Sequence, residues 1–425
     1  MKHKLTTALL LALCVPIASA TTWYVNGVSG SNSNNCKSPT TACKTIGHAI
    51  SLAVSGDSII VAHAIYAENL AIGKNLTILG SGAATTIIDG GGTATVVTIS
   101  NGTHVTLSKM TIRNGNASTV VVIDFTMRAI AGGGISNSGT LTLTNSTVSG
   151  NSAPIPCIHS FLFCESHGGT AWGGGIYNSG ALIMINSTVS GNHAGGFCNA
   201  PCSAFGGGIY NRGTLLMIKN STLTGNIAGI SIGTACSTSG FSSCRVGGGA
   251  FYTSAGTVRL NNSTVTANTA DRCSGGVCET SDAIVNSSGN LAMNNSTVSG
   301  NSAGGIFNGG TATLQNSILA NNSGRNCRGT ITSHGYNLSS DGSCPFSNTG
   351  DLNNTDPLLG TLGNYGGSTQ TIPLLSGSPA IDSGNPNGCT DGQGHLLKTD
   401  QRGKPRPDIE DTAGCDRGAF ERQSD

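Results

Sequence analysis

The sequence predicts an all-β solenoid, a right-handed parallel β-helix, and three observations carry that prediction. A repeat shortens to 21 residues at its last occurrence. A glycine cluster occupies the same place in each repeat, and apolar residues alternate with polar ones at period two.

Gly-Gly-Gly-Ile recurs at 132–135, 173–176 and 206–209, loosens to Gly247-Gly248-Gly249-Ala250, and ends as Gly304-Gly305-Ile306. An Asn-Ser-Thr signature follows at Asn145, Asn186, Asn220, Asn262 and Asn295, then as Asn316-Ser317-Ile318. Six residues further stands another Asn, at 151, 192, 226, 268 and 301, and one position early at Asn321. The signatures are spaced 41, 34, 42, 33 and 21 residues apart. The shortest spacing is the bare coil, and a coil of that length suits three short strands joined by turns. The longer repeats carry insertions, each with one Cys pair, between the Ser-Gly-Asn type turn and the next glycine cluster. Insertions at one place in every coil line up on one flank of the stack.

The elements follow in order. Residues 1–20 read as a secretory signal peptide, with Lys2 and Lys4, an apolar run from Ala8 to Ile17, and the small residues Ala18-Ser19-Ala20. No later stretch has the ~18 consecutive apolar residues of a membrane helix. Residues 21–56 form an N-terminal cap, because an open strand edge invites pairing with other chains. In it, Thr45 to Val54 places Ile46, Ala49, Ile50 and Ala53 on one helical face. Ile59-Ile60-Val61 starts the first strand. Residues 57–340 are the β-helix with lateral loops, and 341–425 a compact β-rich C-terminal region that holds 12 of the chain's 20 acidic residues. Alternation of Leu141 and Leu143, Leu182 and Met184, and Val258 and Leu260 with polar neighbours marks strands with one face inward. Asn residues stacked at the turns can bond to the coils above and below.

Cys14 leaves with the signal. The remaining cysteines fall into sequence neighbours: Cys36/Cys43, Cys157/Cys164, Cys198/Cys202, Cys236/Cys244, Cys273/Cys278, Cys327/Cys344 and Cys389/Cys415. Disulfides in an oxidising compartment fit this pattern better than zinc, since the spacings vary and no paired His set accompanies them. Charged residues make up 10% and the net charge is +1, which gives no reason to expect nucleic acid. The chain is expected to be exported, extracellular or cell-surface, and monomeric.

Trp23-Tyr24-Val25-Asn26, Gly56-Asp57-Ser58-Ile59 and Tyr66-Ala67-Glu68-Asn69 resemble the opening of pectin-lyase-like β-helix proteins. The glycine and Asn-Ser-Thr repeats look like those of bacterial right-handed β-helix surface proteins and, more loosely, of polymorphic outer-membrane proteins. Asn364-Tyr365-Gly366-Gly367, Ser378-Pro379-Ala380-Ile381-Asp382, Asp400-Gln401-Arg402-Gly403 and the run from Cys415 to Glu421 resemble the choice-of-anchor Q region. That resemblance implies a surface protein; the residues themselves imply only export.

Fold does not settle function. Glycoside hydrolysis needs two carboxylates facing one bond. Between Gly91 and Asn322 stand five acids: Asp124, Glu165, Asp271, Glu279 and Asp282. None forms a pair, and the Asn-Thr-Asp, Gly-His-Gly and Arg-Ile-Lys motifs of polygalacturonases are missing. A calcium-dependent lyase needs clustered oxygens and a base. Lys109, Arg113, Arg212, Lys219 and Arg259 offer bases without acids at matching coil positions. His104, His159, His167 and His193 are scattered. The expectation is therefore no catalytic residue and no metal site, and a non-enzymatic, adhesin-like scaffold binding a glycan or surface protein through its lateral loops. The alternative is a polysaccharide lyase or hydrolase.

Loop aromatics supply the binding candidates: Trp172, Phe163, Phe205 and Phe241, which could equally be packing that covers the coil edge. The outward row Thr147, Thr188, Thr222, Thr264 and Thr297 offers a regular hydroxyl surface for ordered water. Asp382, Asp391, Asp400, Asp408 and Asp411 offer oxygens for structural calcium, or salt bridges with Arg402, Lys404 and Arg406.

Overall fold

The computed structural model describes residues 20–117, 120–122, 128–155, 158–160, 163–165, 169–198, 202–232, 245–274, 277–409 and 414–424. Of residues 120–122, 128, 158–160, 163–165, 198, 232, 272–274 and 277–280 it describes the backbone alone. The expected signal segment thus lies outside the described residues up to position 19.

The chain is a right-handed parallel β-helix whose three long sheets hold eleven, ten and nine strands. One coil shows the pattern. Ile176–Asn178 lies in the nine-stranded sheet, Ala181–Ile185 in the eleven-stranded sheet, and Thr188–Ser190 in the ten-stranded sheet. Ile176, Leu182, Met184 and Val189 point inward and are fully buried, each stacked on its counterpart in the coils before and after. Burial of each such side chain stabilises the coil by about 1.5–3 kcal/mol.

The corners explain the motifs. Each Asn-Ser-Thr asparagine adopts the left-handed conformation, with φ of 47–51° from Asn145 to Asn316. Asn is among the few residues that enter this region at low cost. The second Asn builds a ladder instead. Asn151, Asn192, Asn226, Asn268, Asn301 and Asn322 pass a side-chain amide to the next side-chain carbonyl at 2.8–3.0 Å. Asn322 takes the last rung, not Asn321 as the spacing suggested. Asn321 has φ 55° and fills the left-handed place that Gly150, Gly191, Gly225 and Gly300 hold in earlier coils. In the cluster Gly173-Gly174-Gly175 the first glycine has φ 62°. A Cβ on the second would collide with the backbone of His193, and one on the third would sit 2.6 Å from the Gly208 carbonyl.

The N-terminal segment holds a helix on the expected face, and its first strand differs from the expected one. Helix Ile46–Leu52 buries Ile46, Ala49 and Ile50, is N-capped by Thr45, and receives the Glu68 carboxylate on the N–H groups of Ile46 and Gly47 at 2.8 and 2.7 Å. The first strand, however, is Thr22–Val25, paired in parallel with Ser58–Val61. It precedes the strand expected at Ile59. A disulfide joins Cys36 to Cys43.

The insertions form a wing of two five-stranded sheets. An outgoing sheet contains Ser152–Pro154, His193–Cys198, Ile227–Ile232 and Thr269–Ser274. A return sheet contains Arg128–Ala131, Gly169–Trp172, Cys202–Phe205 and Arg245–Gly247. Ala153, Ala171, Ala194 and Ala204 lie buried in one cluster with Ile130, Ile155 and Ile230, so the two sheets close on small side chains. Cys202 is disulfide-bonded, and Cys273 stands directly opposite Cys278 across an antiparallel hairpin. Cys157, Cys236 and Cys244 lie outside the described residues, as do the side chains of Cys164, Cys198, Cys273 and Cys278.

The C-terminal residues run back along the ten-stranded sheet. Thr222, Thr264 and Thr297 are buried beneath them, bonded to Gln401 at 2.9 and 2.6 Å and to the Ala419 N–H at 3.1 Å. The expected open threonine row is thereby corrected: three of its five members are covered, and Thr147 and Thr188 stay partly exposed. Asn262 and Asn295 donate to Thr399 and Thr390 carbonyls at 2.7 and 2.6 Å. The four motifs of this region meet in one knot. Arg402 stacks on Phe420 at 3.6 Å, Tyr365 meets the same ring edge-on at 6.1 Å, and Asp382 N–H bonds Asp416 at 2.9 Å. Disulfides Cys327–Cys344 and Cys389–Cys415 brace the last coil and the knot.

Candidate functional site

Where the return sheet of the wing meets the outer face of the nine-stranded sheet, two columns of side chains run along the rod. On the wing side, parallel register stacks Ala131, Trp172, Phe205 and Gly247, and the Gly248 N–H to Asp282 carbonyl bond carries the column on to Asp282 and Gly304. On the rod side the column reads Ser136, Tyr177, Tyr210, Tyr252, Val285, Phe307 and Arg328. Adjacent coils are one strand spacing apart, about 4.8 Å.

The first half of this groove is filled. Trp172 stacks on Tyr210 at 4.9 Å and on Tyr177 at 6.0 Å, Tyr210 stacks on Tyr252 at 5.4 Å, and Phe205 tilts against Tyr252 at 4.6 Å. Trp172, Tyr177 and Tyr210 are each under 9% exposed, so their faces contact one another. Burial raises the Tyr210 hydroxyl above the usual phenol range. Of the four aromatic binding candidates, Trp172 and Phe205 are therefore brought together in this cluster. The Phe163 side chain and Phe241 lie outside the described residues.

The second half differs in character. Buried Gly247, packed toward Val285, Ser281 and Tyr252, ends the aromatic run of the wing column, and beyond it lies a cavity of about 300 Å³ lined by Ser281, Asp282, Gly304, Gly324, Arg325 and Arg328. Asp282 and Arg328 form an ion pair, and the Arg328 guanidinium lies 4.6 Å over the Phe307 ring. Gly304 is needed here because a Cβ at that position would collide with the Asp282 carboxylate. Burial pushes the Asp282 carboxyl above the usual carboxylate range, while the charge and hydrogen bond of Arg328 pull it down.

Other residues singled out in the sequence lie elsewhere. Arg113 is paired with Asp89 at 2.8 Å, and Asp271 faces away from buried Ala270 on the outgoing sheet. Burial holds His193 below the usual histidine range, with Asp271 pulling the other way. Asp124 and His167 are outside the described residues, as are the side chains of Glu165, Glu279 and His159. In the C-terminal knot, Asp400 is taken by Arg402 and by three backbone N–H groups, so it enters the salt-bridge alternative. Among the described residues the one grouping of metal-ligating types is Cys36, Cys43 and His48, and its two cysteines form a disulfide.

Arg325 and Arg328 escape notice in the sequence because they follow the last recognisable repeat. The signal that finds them is alignment of Ile-Tyr-Asn with Cys327-Arg328-Gly329, which puts Arg328 in the tyrosine column.

No family model and no curated protein matches the chain. Solved structures similar to it include a pectate lyase, Pel9A, at 13% identity, covering 96% of this chain and 98% of that one with a TM-score of 0.45. Pectin methylesterase PemA from Erwinia chrysanthemi is similar at 14% identity over 74% and 81%, with a TM-score of 0.32. A GH136 lacto-N-biosidase from Eubacterium ramulus is similar at 13% identity over 76% and 57%, with a TM-score of 0.34. At such distances the likeness concerns the parallel β-helix fold alone.

Proposed function

We propose that this chain is an exported β-helix that engages a glycan along the groove between wing and rod, with the cavity at Asp282 and Arg328 as its grip. One observation carries the reading. Beyond Gly247 the wing column gives way from aromatic residues to Asp282 and Gly304, beside a cavity into whose lining the parallel strands bring Asp282 and Arg328. A concave site with few convergent polar groups on a fixed scaffold is what ligand recognition requires. The reading keeps the expected scaffold role but moves the ligand from the loop tips to the wing root. Three disulfides and the signal-like leader support export.

A carbohydrate-active enzyme is the second reading, and one observation favours it. Burial raises the Asp282 carboxyl above its usual range, which is the direction that a proton donor to a leaving group needs. Against it, Asp282 is the single carboxylate lining the cavity among the described residues.

A polysaccharide panel including polygalacturonate, with and without calcium, tests both. Retention without new reducing ends or unsaturated products supports the scaffold. Products that vanish in Asp282→Asn support the enzyme. Neither retention nor products overturns the glycan reading. Gly324→Phe, which places a ring at a glycine of the cavity lining, is expected to weaken retention about tenfold or more.

A further inference from the structure

We infer that the cavity between Asp282, Arg325 and Arg328 is an oxyanion subsite, in which a carboxylate or sulfate group of the ligand displaces Asp282 from the arginines. The inference rests on the reading of the groove as a glycan site and names the kind of glycan.

The charge count comes first. Two arginines line the cavity against one aspartate, so among its lining residues positive charge exceeds negative in every protonation state of Asp282. The two walls contributed by Gly304 and Gly324 have no side chains, which leaves the arginines as its principal donors. Arg328 is also preorganised. Its guanidinium is fixed over Phe307 and by Asp282, yet its side chain is 50% exposed. A planar fork held in one orientation with donors still free is suited to bidentate recognition of an oxyanion.

Asp282 is the opposite kind of partner. Its side chain is 5% exposed, and it pays the desolvation cost of ionisation, so a proton or a ligand can take its place. The charged groups around it are few. Arg328 faces it from the strand Cys327–Gly329, and Arg325 lines the same cavity from the preceding loop. On the wing, Arg245 lies exposed in the return strand that ends at Gly247. Ligand binding and protonation of Asp282 should thus favour each other, because both remove the carboxylate's claim on Arg328.

The test uses the full chain, three probes and five variants. The probes are polygalacturonate for carboxylate, dextran sulfate for sulfate and dextran as a neutral control, titrated at pH 5 and pH 8. At least one acidic probe is expected to bind about tenfold or more tighter than dextran, and tighter at pH 5. Which acidic probe binds distinguishes the two sources of the anion. Arg328→Gln and Arg325→Gln should lose most of that preference, with melting curves confirming the fold. Asp282→Asn, which keeps the acceptor for Arg328 without the charge, should bind the acidic probe more tightly and flatten the pH dependence. Arg245→Gln is the control for diffuse electrostatics and should change little. Equal binding of dextran, or an Arg245→Gln loss as large as that of Arg328→Gln, overturns the inference while leaving the groove reading intact. Binding of no probe, or binding indifferent to Gly324→Phe, overturns both.

Discussion

Two arginine–carboxylate pairs on this rod share their chemistry and differ in everything around it. In the C-terminal knot, Arg406 donates Nε to Glu421 at 2.6 Å, one terminal nitrogen to Asn262 at 2.8 Å and the other to the Gly418 carbonyl at 3.0 Å. Both side chains are 0% exposed. At the wing root, Arg328 gives part of its fork to Asp282 and leaves half of its surface beside a cavity. The first pair uses all its donor arms to join tail to rod. The second retains capacity for something not yet bound. What separates a structural ion pair from a candidate site is therefore the donors left over, not the pairing itself.

Breaking the sealed pair should have the largest effect. Removing Arg406 leaves the buried Glu421 carboxyl without its partner, and each buried group left unsatisfied costs about 1–3 kcal/mol. Arg406→Met also strips Asn262 and Gly418 of their bonds. We expect chemical denaturation to show a loss of that size, and hydrogen exchange to show the segment around Thr369–Gln401 released from the threonine row. A loss below about 1 kcal/mol would erase the distinction between the two pairs.

Much of the rod was legible because a solenoid is built from local rules. The spacings 41, 34, 42, 33 and 21 reappear as the separations between successive rungs of the asparagine ladder. Glycine clusters and Asn corners carry backbone constraints that no neighbour can override. The wing was legible only as insertions at one place, since strands closed on alanines lack a strong alternating signal. The tail's docking was not legible at all: Thr222 and Gln401 meet across 179 residues through two polar side chains that any loop could carry. The cavity failed for a third reason. Asp282, Arg325 and Arg328 belong to coils where the repeat has decayed, and sequence spacing no longer reports register.

The pH response sharpens the comparison next. Burial, with the neighbouring Asp416 adding to it, pushes Glu421 up to about 8, and burial pushes Asp416 to about 6, against the opposing pull of Arg406. Both folded values lie above the unfolded ones, so the folded chain binds more protons in between. Stability should therefore be greatest near pH 5 and fall as pH rises through 8. Asp57, Asp89, Asp341 and Asp391 are, despite burial, shifted down by hydrogen bonds, joined at Asp57, Asp89 and Asp391 by nearby positive charge. Their contribution is present above the unfolded carboxylate range and is lost as pH falls below about 4. A melting profile should show tail release, read by limited proteolysis, on the alkaline side and loss of the rod on the acid side. Tail release that instead increases between pH 8 and pH 5 would contradict the assignment.

The smallest stability effect belongs to the open pair. Arg328 is half exposed, so solvent screens its attraction for Asp282, and exposed pairs contribute about 0.2–1 kcal/mol. Burial favours the protonated form of Asp282, so its carboxyl can answer the loss of Arg328 by taking up a proton. Arg328→Gln should lower the midpoint of unfolding by no more than about 1 kcal/mol while abolishing preference for acidic probes. The corresponding change at Arg406 should do the reverse: a large loss of stability with the groove's ligand preference kept at temperatures where the rod remains folded. If Arg328→Gln destabilised the chain as severely as Arg406→Met, the cavity would be a flaw in packing that Arg328 plugs, and the donors it leaves over would have no ligand to explain.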